Sequence, residues 1–320
     1  MEKIIYEIAE GLGLNDIHIT LLTGDASTRK YYRVEHSGGS FVLMKGDPFP
    51  DSDPNLQSLK AYSEMGINVP SVHKVFPELG VMIQQDVGNM HLQLVKDMGH
   101  LKKYYEEAVN ILITFQKKAF SHEKDGRDIY PNKIRFTHEK FMSELNMTTE
   151  YYVNGIRGVK GSDRQKNRLQ ELYTNIINEM MEQPFLLQHR DYHSRNLMVH
   201  SDKLYVIDIQ DSRLGPFTYD VASLVIDPYI ELDNVLCDDI IDSYYKGIKD
   251  IVKCDHGQYL RYYNLCFLQR GIKILGTFAH QKINRNNPNY LKYIPIVIEK
   301  IKKVSVEFPE WNDAILKEIL

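Results

Sequence analysis

The residues best suited to chemistry lie in one short stretch. His189, Asp191 and Asn196 form H-x-D-x-x-x-x-N, and Asp208 follows in V-I-D-I-Q-D. Phosphoryl transfer from a nucleotide uses such a set. A carboxylate accepts or orients the proton of the attacking hydroxyl, while an amide and a second carboxylate hold Mg2+ against the phosphates. On this reading Asp191 faces the acceptor, Asn196 and Asp208 are the metal ligands, and ATP and Mg2+ are the cofactors. Two other readings stay open. An H-x-D triplet is common by chance, and a His at a strand edge is often only a hydrogen-bonded structural residue. His189, Asp191 and His193 also alternate. A strand here would project all three from one face as the transition-metal site of a hydrolase. Neither an H-E-x-x-H motif nor a second His cluster is present to complete such a site.

These residues must be positioned by a hairpin. Two short apolar runs, N-L-M-V-H (196–200) and K-L-Y-V-I-D (203–208), are separated by a Ser-Asp turn. A hairpin of that length brings the loop before it and the residue after it to the same edge, where Asn196 and Asp208 could share a metal. Upstream, I-T-L-L (19–22), K-Y-Y-R-V-E-H (30–36), S-F-V-L-M-K (40–45), S-V-H-K-V-F (71–76) and V-M-I-Q-Q (81–85) have strand character, and 55–66 has helical spacing with a Gly stop. Residues 91–120, 136–156, 163–182, 235–252, 257–280 and 290–304 carry apolar residues at helical spacing. The expected architecture is α+β. Residues 1–86 form a small antiparallel lobe with one inserted helix, and 87–320 form a larger, mainly helical lobe that contains the hairpin.

Composition bounds the remaining possibilities. The chain has 320 residues, 39 Lys plus Arg against 43 Asp plus Glu, and a net charge of −4. A nucleic-acid binder would normally carry a basic excess. Cys237, Cys254 and Cys266 are odd in number and form no C-x-x-C pair, so a reducing cytoplasm fits better than a disulfide framework or a thiolate zinc site. The N-terminal M-E-K-I-I-Y-E-I-A-E reads as a short amphipathic helix with charges among its apolar residues, not as a signal peptide. No apolar run reaches the length of a spanning helix. The expectation is a cytoplasmic protein without a nucleic-acid, membrane or required protein partner. There are 21 Tyr against a single Trp, Trp311.

The blocks Q-H-R-D-Y-H-S-R-N-L-M-V (188–199) and V-I-D-I-Q-D-S-R-L-G-P-F-T-Y-D-V-A-S-L (206–224) resemble the aminoglycoside phosphotransferase/choline kinase superfamily, a branch of the protein-kinase-like fold. Within it they look most like bacterial anomeric sugar kinases acting on N-acetylmuramate and N-acetylglucosamine in cell-wall recycling. The segments G-D-A-S-T-R-K-Y-Y-R-V (24–34), G-I-N-V-P-S-V (66–72) and L-Q-R-G-I-K-I-L-G-T-F-A (268–279) point the same way. The resemblance implies a bilobal kinase that moves the γ-phosphate of ATP to a small-molecule hydroxyl, most specifically the anomeric hydroxyl of an N-acetylated amino sugar. An aminoglycoside or choline-type kinase is the alternative, and a non-catalytic nucleotide-binding module is the alternative from another class.

Residue by residue, the resemblance assigns Asp191 as the catalytic base and Asn196 and Asp208 as the magnesium ligands. Asp220 would brace the catalytic loop. Gly24, Asp25, Ala26, Ser27 and Thr28 stand where the family places a phosphate-covering loop. Gln84, Gln85 and Asp86 fall at the lobe connection, beside the adenine. The strand lysine that steadies the nucleotide phosphates is offered only as Met44 or Lys45, which period-two alternation puts on opposite faces. Its glutamate partner is replaced by Gln57, so Arg29 or Arg33 is the other source of a cation. Acceptor candidates are Glu144, Tyr151, Asp227, Tyr229, Arg270 and Lys273. Carboxylates clamp sugar hydroxyls, tyrosines stack on sugar faces, and the cations suit a lactyl carboxylate.

Overall fold

A computed structural model describes residues 2–22, 29–127, 129–159 and 161–320, apart from the side chains of residues 2–4. The chain divides into two compact units: Met1–Met90 with Met198–Gln210, and His91–Leu197 with Asp211–Leu320.

The first unit begins with helix α1 (Glu2–Gly11) and strands β1 (His18–Leu22), β2 (Lys30–His36) and β3 (Gly39–Lys45). Helix α2 (Pro54–Glu64) then intervenes before β4 (Val72–Phe76) and β5 (Val81–Gln85). The sheet order is β1-β2-β3-β5-β4, and each neighbouring pair is antiparallel. Alternation sorts the side chains. Tyr32, Val34, Phe41, Leu43, Val81 and Ile83 share one face and close a core with Ile5 and Ile8 of α1. Met44 and Met82, opposite each other in the register, are buried on the other face. Gly80 turns the chain into β5 with a φ of +63°. A side chain there would lie 2.4 Å from the carbonyl oxygens of Gly46 and Asp47, so only glycine fits. The inserted helix of the sequence reading is α2, and α1 is the N-terminal amphipathic helix that reading expects.

The second unit starts with α3 (Met98–Lys124), α4 (His138–Met147), which runs on into a π-helical segment (Thr148–Ile156), and α5 (Asp163–Met181). Strand β6 (Phe185–Gln188) follows; the chain then passes through the hairpin strands β7 (Leu197–His200) and β8 (Lys203–Val206), which from Met198 on belong to the first unit, and returns to this unit with β9 (Arg213–Pro216). β9 pairs antiparallel with β6, a pairing absent from the sequence reading. R-L-G-P, with its glycine and proline, gives no strand signal. Helices α6 (Tyr219–Ile226), α7 (Asn234–Val252), α8 (His256–Arg285), α9 (Ile294–Ser305) and α10 (Pro309–Ala314) complete the unit.

Helix α8 is the axis of this unit and packs against α4, α6, α9 and the π-helical segment. At Gly276 its backbone meets Thr148 so closely that an added Cβ would lie 2.5 Å from the Thr148 hydroxyl oxygen. The same hydroxyl donates to the carbonyl of Ile272 at 2.7 Å. Much of the tyrosine content is core: Tyr105, Tyr173, Tyr192, Tyr219, Tyr244 and Tyr259 are fully buried here, and Tyr62 in the first unit. The three cysteines are free. Among the described residues no helix is long and apolar enough to cross a membrane.

The hairpin corrects the expected division at 86/87. Its two-residue turn, Ser201 and Asp202, has positive φ at both positions (49° and 60°), the type I′ geometry whose twist suits short hairpins. The hairpin backbone then bonds to first-unit residues: Val206 N–H to the Asn68 carbonyl (2.8 Å) and Val199 N–H to that of Met90 (2.7 Å). Chain continuity assigns it to the helical part, whereas these long-range bonds join residues 198–210 to the first unit and move the boundary to Met90.

Candidate active site

In the second unit, β6 delivers the chain into the loop His189–Asn196, which helix α6 grips from both ends. At the start of α6, the buried Asp220 carboxylate accepts the backbone N–H groups of His189 (2.5 Å) and Arg190 (2.9 Å). Its own N–H donates to Gln188 Oε1 at 3.1 Å. Burial pushes the Asp220 carboxyl up to about 6, against the opposing pull of His189 and the N–H donors. It is therefore largely ionised at neutral pH. At the C-terminal end of α6, Asp227 accepts the N–H of Ser194 (2.6 Å) and of Tyr229 (2.8 Å). Between these anchors Arg190 adopts φ +86°, a costly value for a non-glycine residue that such bracing sustains. The Arg190 carbonyl receives Arg270 Nη1 at 2.6 Å.

The bracing presents Asp191 to a cluster of charges. Its carboxylate lies 3.4 Å from Lys273 Nζ and 3.6 Å from Arg270 Nη2, both on α8, and is about one-third exposed (33%). Burial alone would raise its pKa, but Lys273, Arg190, Arg270 and His193 together hold it well below the usual carboxylate range. Glu144, buried on α4, pairs with Arg190 (3.3 Å) and Lys273 (3.9 Å) and accepts from Gln269 (3.3 Å). Burial opposes its ionisation, and Lys273, Arg190 and Lys140 more than compensate. Lys273 is shifted down, by burial above all, with Asp191 and Glu144 resisting. The Arg270 guanidinium stacks over the Tyr219 ring at 4.6 Å. Two anions thus sit among three buried or nearly buried cations, and Asp191 carries a full negative charge at neutral pH.

Asn196 ends the loop. Its Nδ2 donates to the Asp191 carbonyl at 2.9 Å, which leaves Oδ1 as a neutral oxygen donor. In the first unit Asp208 follows β8 with φ +64°; its carboxylate is exposed and accepts from Gln210 at 2.7 Å. An amide oxygen and a carboxylate are the hard donors that magnesium takes. The hydrolase reading fails: residues 189–196 form no strand, and among the described residues no three His, Cys, Asp or Glu side chains come together as a metal site.

The other candidates divide. Glu144, Arg270 and Lys273 are gathered around Asp191, with Glu144 serving the cations. Asp227 has both carboxylate oxygens on backbone N–H groups and acts as a brace. Tyr229 packs under the Arg195 guanidinium at 3.7 Å and edge-on to Tyr293 at 5.0 Å. Tyr151 bonds to Asn284 (3.1 Å) and meets the edge of His280. Asn284 is eleven residues beyond Lys273 on α8, about 16 Å along the axis.

In the first unit Asp86 is held by Arg33 Nε (2.7 Å) and Nη2 (2.8 Å), by Ser40 Oγ (2.8 Å) and by the Gly88 N–H (2.9 Å). Burial raises its carboxyl and these donors outweigh it, leaving it below the usual value. Its side chain is therefore engaged within the protein. Gln84 is buried and donates to the Met82 sulfur. Lys45 stands on the Phe41 and Leu43 side of β3 and donates to the Gly46 carbonyl. Gly24, Asp25, Ala26, Ser27 and Thr28 lie outside the described residues. Sequence reasoning passed over Arg190 and Arg195, although both are inside the loop motif. An arginine beside acidic residues carries no local sign that it will be buried.

The sequence profile of the phosphotransferase enzyme family matches residues 18–250. An N-acetylmuramate/N-acetylglucosamine kinase of Neisseria meningitidis is 26% identical over 307 residues, covering 92% of this chain and 88% of its own. A kinase of the same name from Pseudomonas aeruginosa is 27% identical over 311 residues, with 95% and 88% covered. Among solved structures, an amicoumacin kinase in complex with AMP-PNP, Ca2+ and amicoumacin superposes with a TM-score of 0.62 at 14% identity, covering 96% of this chain and 94% of that one. At that identity the likeness concerns the fold.

Proposed function

Since the chain belongs to the phosphotransferase enzyme family and is a small-molecule kinase, we propose that it transfers the γ-phosphoryl group of ATP to the anomeric hydroxyl of N-acetylmuramate or N-acetylglucosamine. The observation that carries the reaction is Asp191, a carboxylate kept ionised by Lys273, Arg190 and Arg270 and offered by a doubly braced loop. The relatives' names supply the acceptor class.

Asp191 accepts the hydrogen bond of the sugar hydroxyl and aims its oxygen at the γ-phosphorus. The new O–P bond forms as the bond to ADP breaks, and the hydroxyl proton passes to Asp191 and on to water. A carboxylate of such low basicity orients the nucleophile more than it deprotonates it early, which suits a loose, metaphosphate-like transition state. Asn196 and Asp208 would hold magnesium, which when bound neutralises charge on the phosphates. The buried cations beside Asp191 suit an acceptor with its own carboxylate, as N-acetylmuramate has. Among the described residues, Nε of Arg190 and of Arg270 are buried without a hydrogen-bond partner. A polycationic aminoglycoside would meet repulsion there.

A coupled ADP-release assay with Mg·ATP tests the proposal against N-acetylmuramate, N-acetylglucosamine, choline and an aminoglycoside. Turnover with the two N-acetylated sugars is expected. Turnover confined to choline or the aminoglycoside would overturn the acceptor assignment, and no acceptor-dependent turnover would overturn the reaction.

A further inference from the structure

A kinase that lacks the strand lysine needs another cation for the nucleotide phosphates, and the first unit indicates which residue supplies it. On β3, Met44 lies across from Tyr31 and Met82, whereas Lys45 lies across from Lys30 and Val81. The two faces therefore differ. Lys45 shares the face of Phe41 and Leu43, which packs against α1. Tyr31 shares the face of Met44; burial raises its hydroxyl, the charges of Arg29, Asp208 and Asp53 act on it, and Arg29 is also its hydrogen-bond partner. The face that carries Tyr31, whose hydroxyl feels the charge of Asp208, thus receives an apolar methionine from β3 and no cation.

Two arginines flank that face. Arg33 is already held: Nε and Nη2 bind the Asp86 carboxylate, Nη1 binds Asn89 Oδ1 at 2.9 Å, and Nη2 also reaches the Gly88 carbonyl at 3.1 Å. Arg29 is placed differently. Its stem crosses Gly46, where a Cβ would lie 3.3 Å from Arg29 Cγ, and Nη2 meets Asp53 Oδ2 at 3.1 Å. Its side chain keeps 22% exposure while that of Asp53 keeps 8%.

Asp53 itself is fixed by α2. Its other oxygen, Oδ1, caps the helix by accepting the N–H groups of Asn55 (2.9 Å) and Leu56 (3.2 Å). Gln57, which stands where the helix glutamate is expected, donates to the Asp51 carbonyl at 2.7 Å instead. Both members of the lysine–glutamate pair are thus displaced. An ion pair of the same kind is formed by the N-cap of the helix, Asp53, and the residue before β2, Arg29. A guanidinium is also the better match for phosphate, since its planar fork of N–H donors binds two oxygens at once.

We propose that Arg29, oriented by Asp53, is the cation that binds the phosphates of the nucleotide in place of the strand lysine. This rests on the reading of the chain as a nucleotide-dependent kinase. Asp53 is a positioning residue, with one oxygen for the helix and the other for Arg29.

Calorimetric titration of the whole protein with Mg·ATP and, separately, with adenosine tests the assignment. Arg29→Ala is expected to weaken Mg·ATP by about ten- to a hundredfold, the size of a lost charge-assisted contact, and to leave adenosine affinity near that of the wild type. Asp53→Asn, which keeps a capping oxygen, should cause a smaller loss in the same direction, and Lys45→Ala a smaller loss than Arg29→Ala. If the alanine variant fails to fold, Arg29→Gln gives the same comparison. An unchanged ratio of ATP to adenosine affinity in the Arg29 variants, or a larger loss from Lys45→Ala, would overturn the assignment. A wild type that binds neither compound would count against the nucleotide reading itself, not against Arg29.

Discussion

Asp191 owes its state to its neighbours more than to its own chemistry. Lys273 leads the cations that depress it, so removing that charge has a signed consequence. In Lys273→Met the Asp191 carboxyl rises toward the ordinary range. Turnover that needs the carboxylate then falls off at higher pH, and the acid limb of the kcat/KM profile moves upward. An acid limb in the same place as the wild type's would count against the coupling. The effect on stability has the same origin. Asp191 and Glu144 are both depressed, so the stabilisation they contribute is complete above their unfolded values near 4 and is lost as pH falls through their lower folded values. The acid set itself was legible because its spacing is local: Asp191 and Asn196 lie five positions apart and Asp208 closes the next hairpin. The cations come from α8 and the loop, and only tertiary contact reveals that Arg190 joins Glu144 of α4 to Asp191. Asp86 shows the opposite case, a lobe-connection carboxylate whose true partner, Arg33, lies 53 positions away in sequence.

At the scale of elements, the site depends on how closely α8 approaches α4 and its π-helical continuation. Gly276 permits that approach, and it holds Glu144 on one helix against Lys273 on the other. Gly276→Ala forces Thr148 away and is expected to cost about 1–3 kcal/mol of stability, read from the denaturant midpoint, with a fall in kcat as the Glu144–Lys273 pair loosens. A variant with wild-type stability would contradict the packing. The helices were legible from their apolar spacing. The β6–β9 pair was not, because Phe185–Gln188 and Arg213–Pro216 are four residues each and find each other only across the intervening hairpin. The hairpin was legible as a hairpin, yet its partners Asn68 and Met90 were not, since a backbone hydrogen bond leaves no mark on composition.

At the scale of the molecule, the net charge of −4 says little about ligands whose charges are met locally. The tyrosine content proves to be largely internal. Seven tyrosines are among the largest fully buried side chains, and Tyr151 and Tyr229 are held by protein neighbours. Binding of Mg·ATP should stabilise the folded chain as any ligand selective for the native state does, by about 2.7 kcal/mol at a hundred times its Kd. Thermal denaturation with and without Mg·ATP checks this, and an unshifted midpoint at saturating nucleotide would contradict nucleotide binding. The central claim is that Asp191 directs phosphate onto an anomeric hydroxyl. Phosphorus NMR of the reaction with Mg·ATP and N-acetylmuramate or N-acetylglucosamine tests it most directly. The wild type should yield ADP and a sugar phosphate bonded at the anomeric carbon in equal amounts, and Asp191→Asn should lower that rate about a thousandfold while still binding nucleotide. Phosphate on another hydroxyl, or a rate unchanged in Asp191→Asn, would contradict the account.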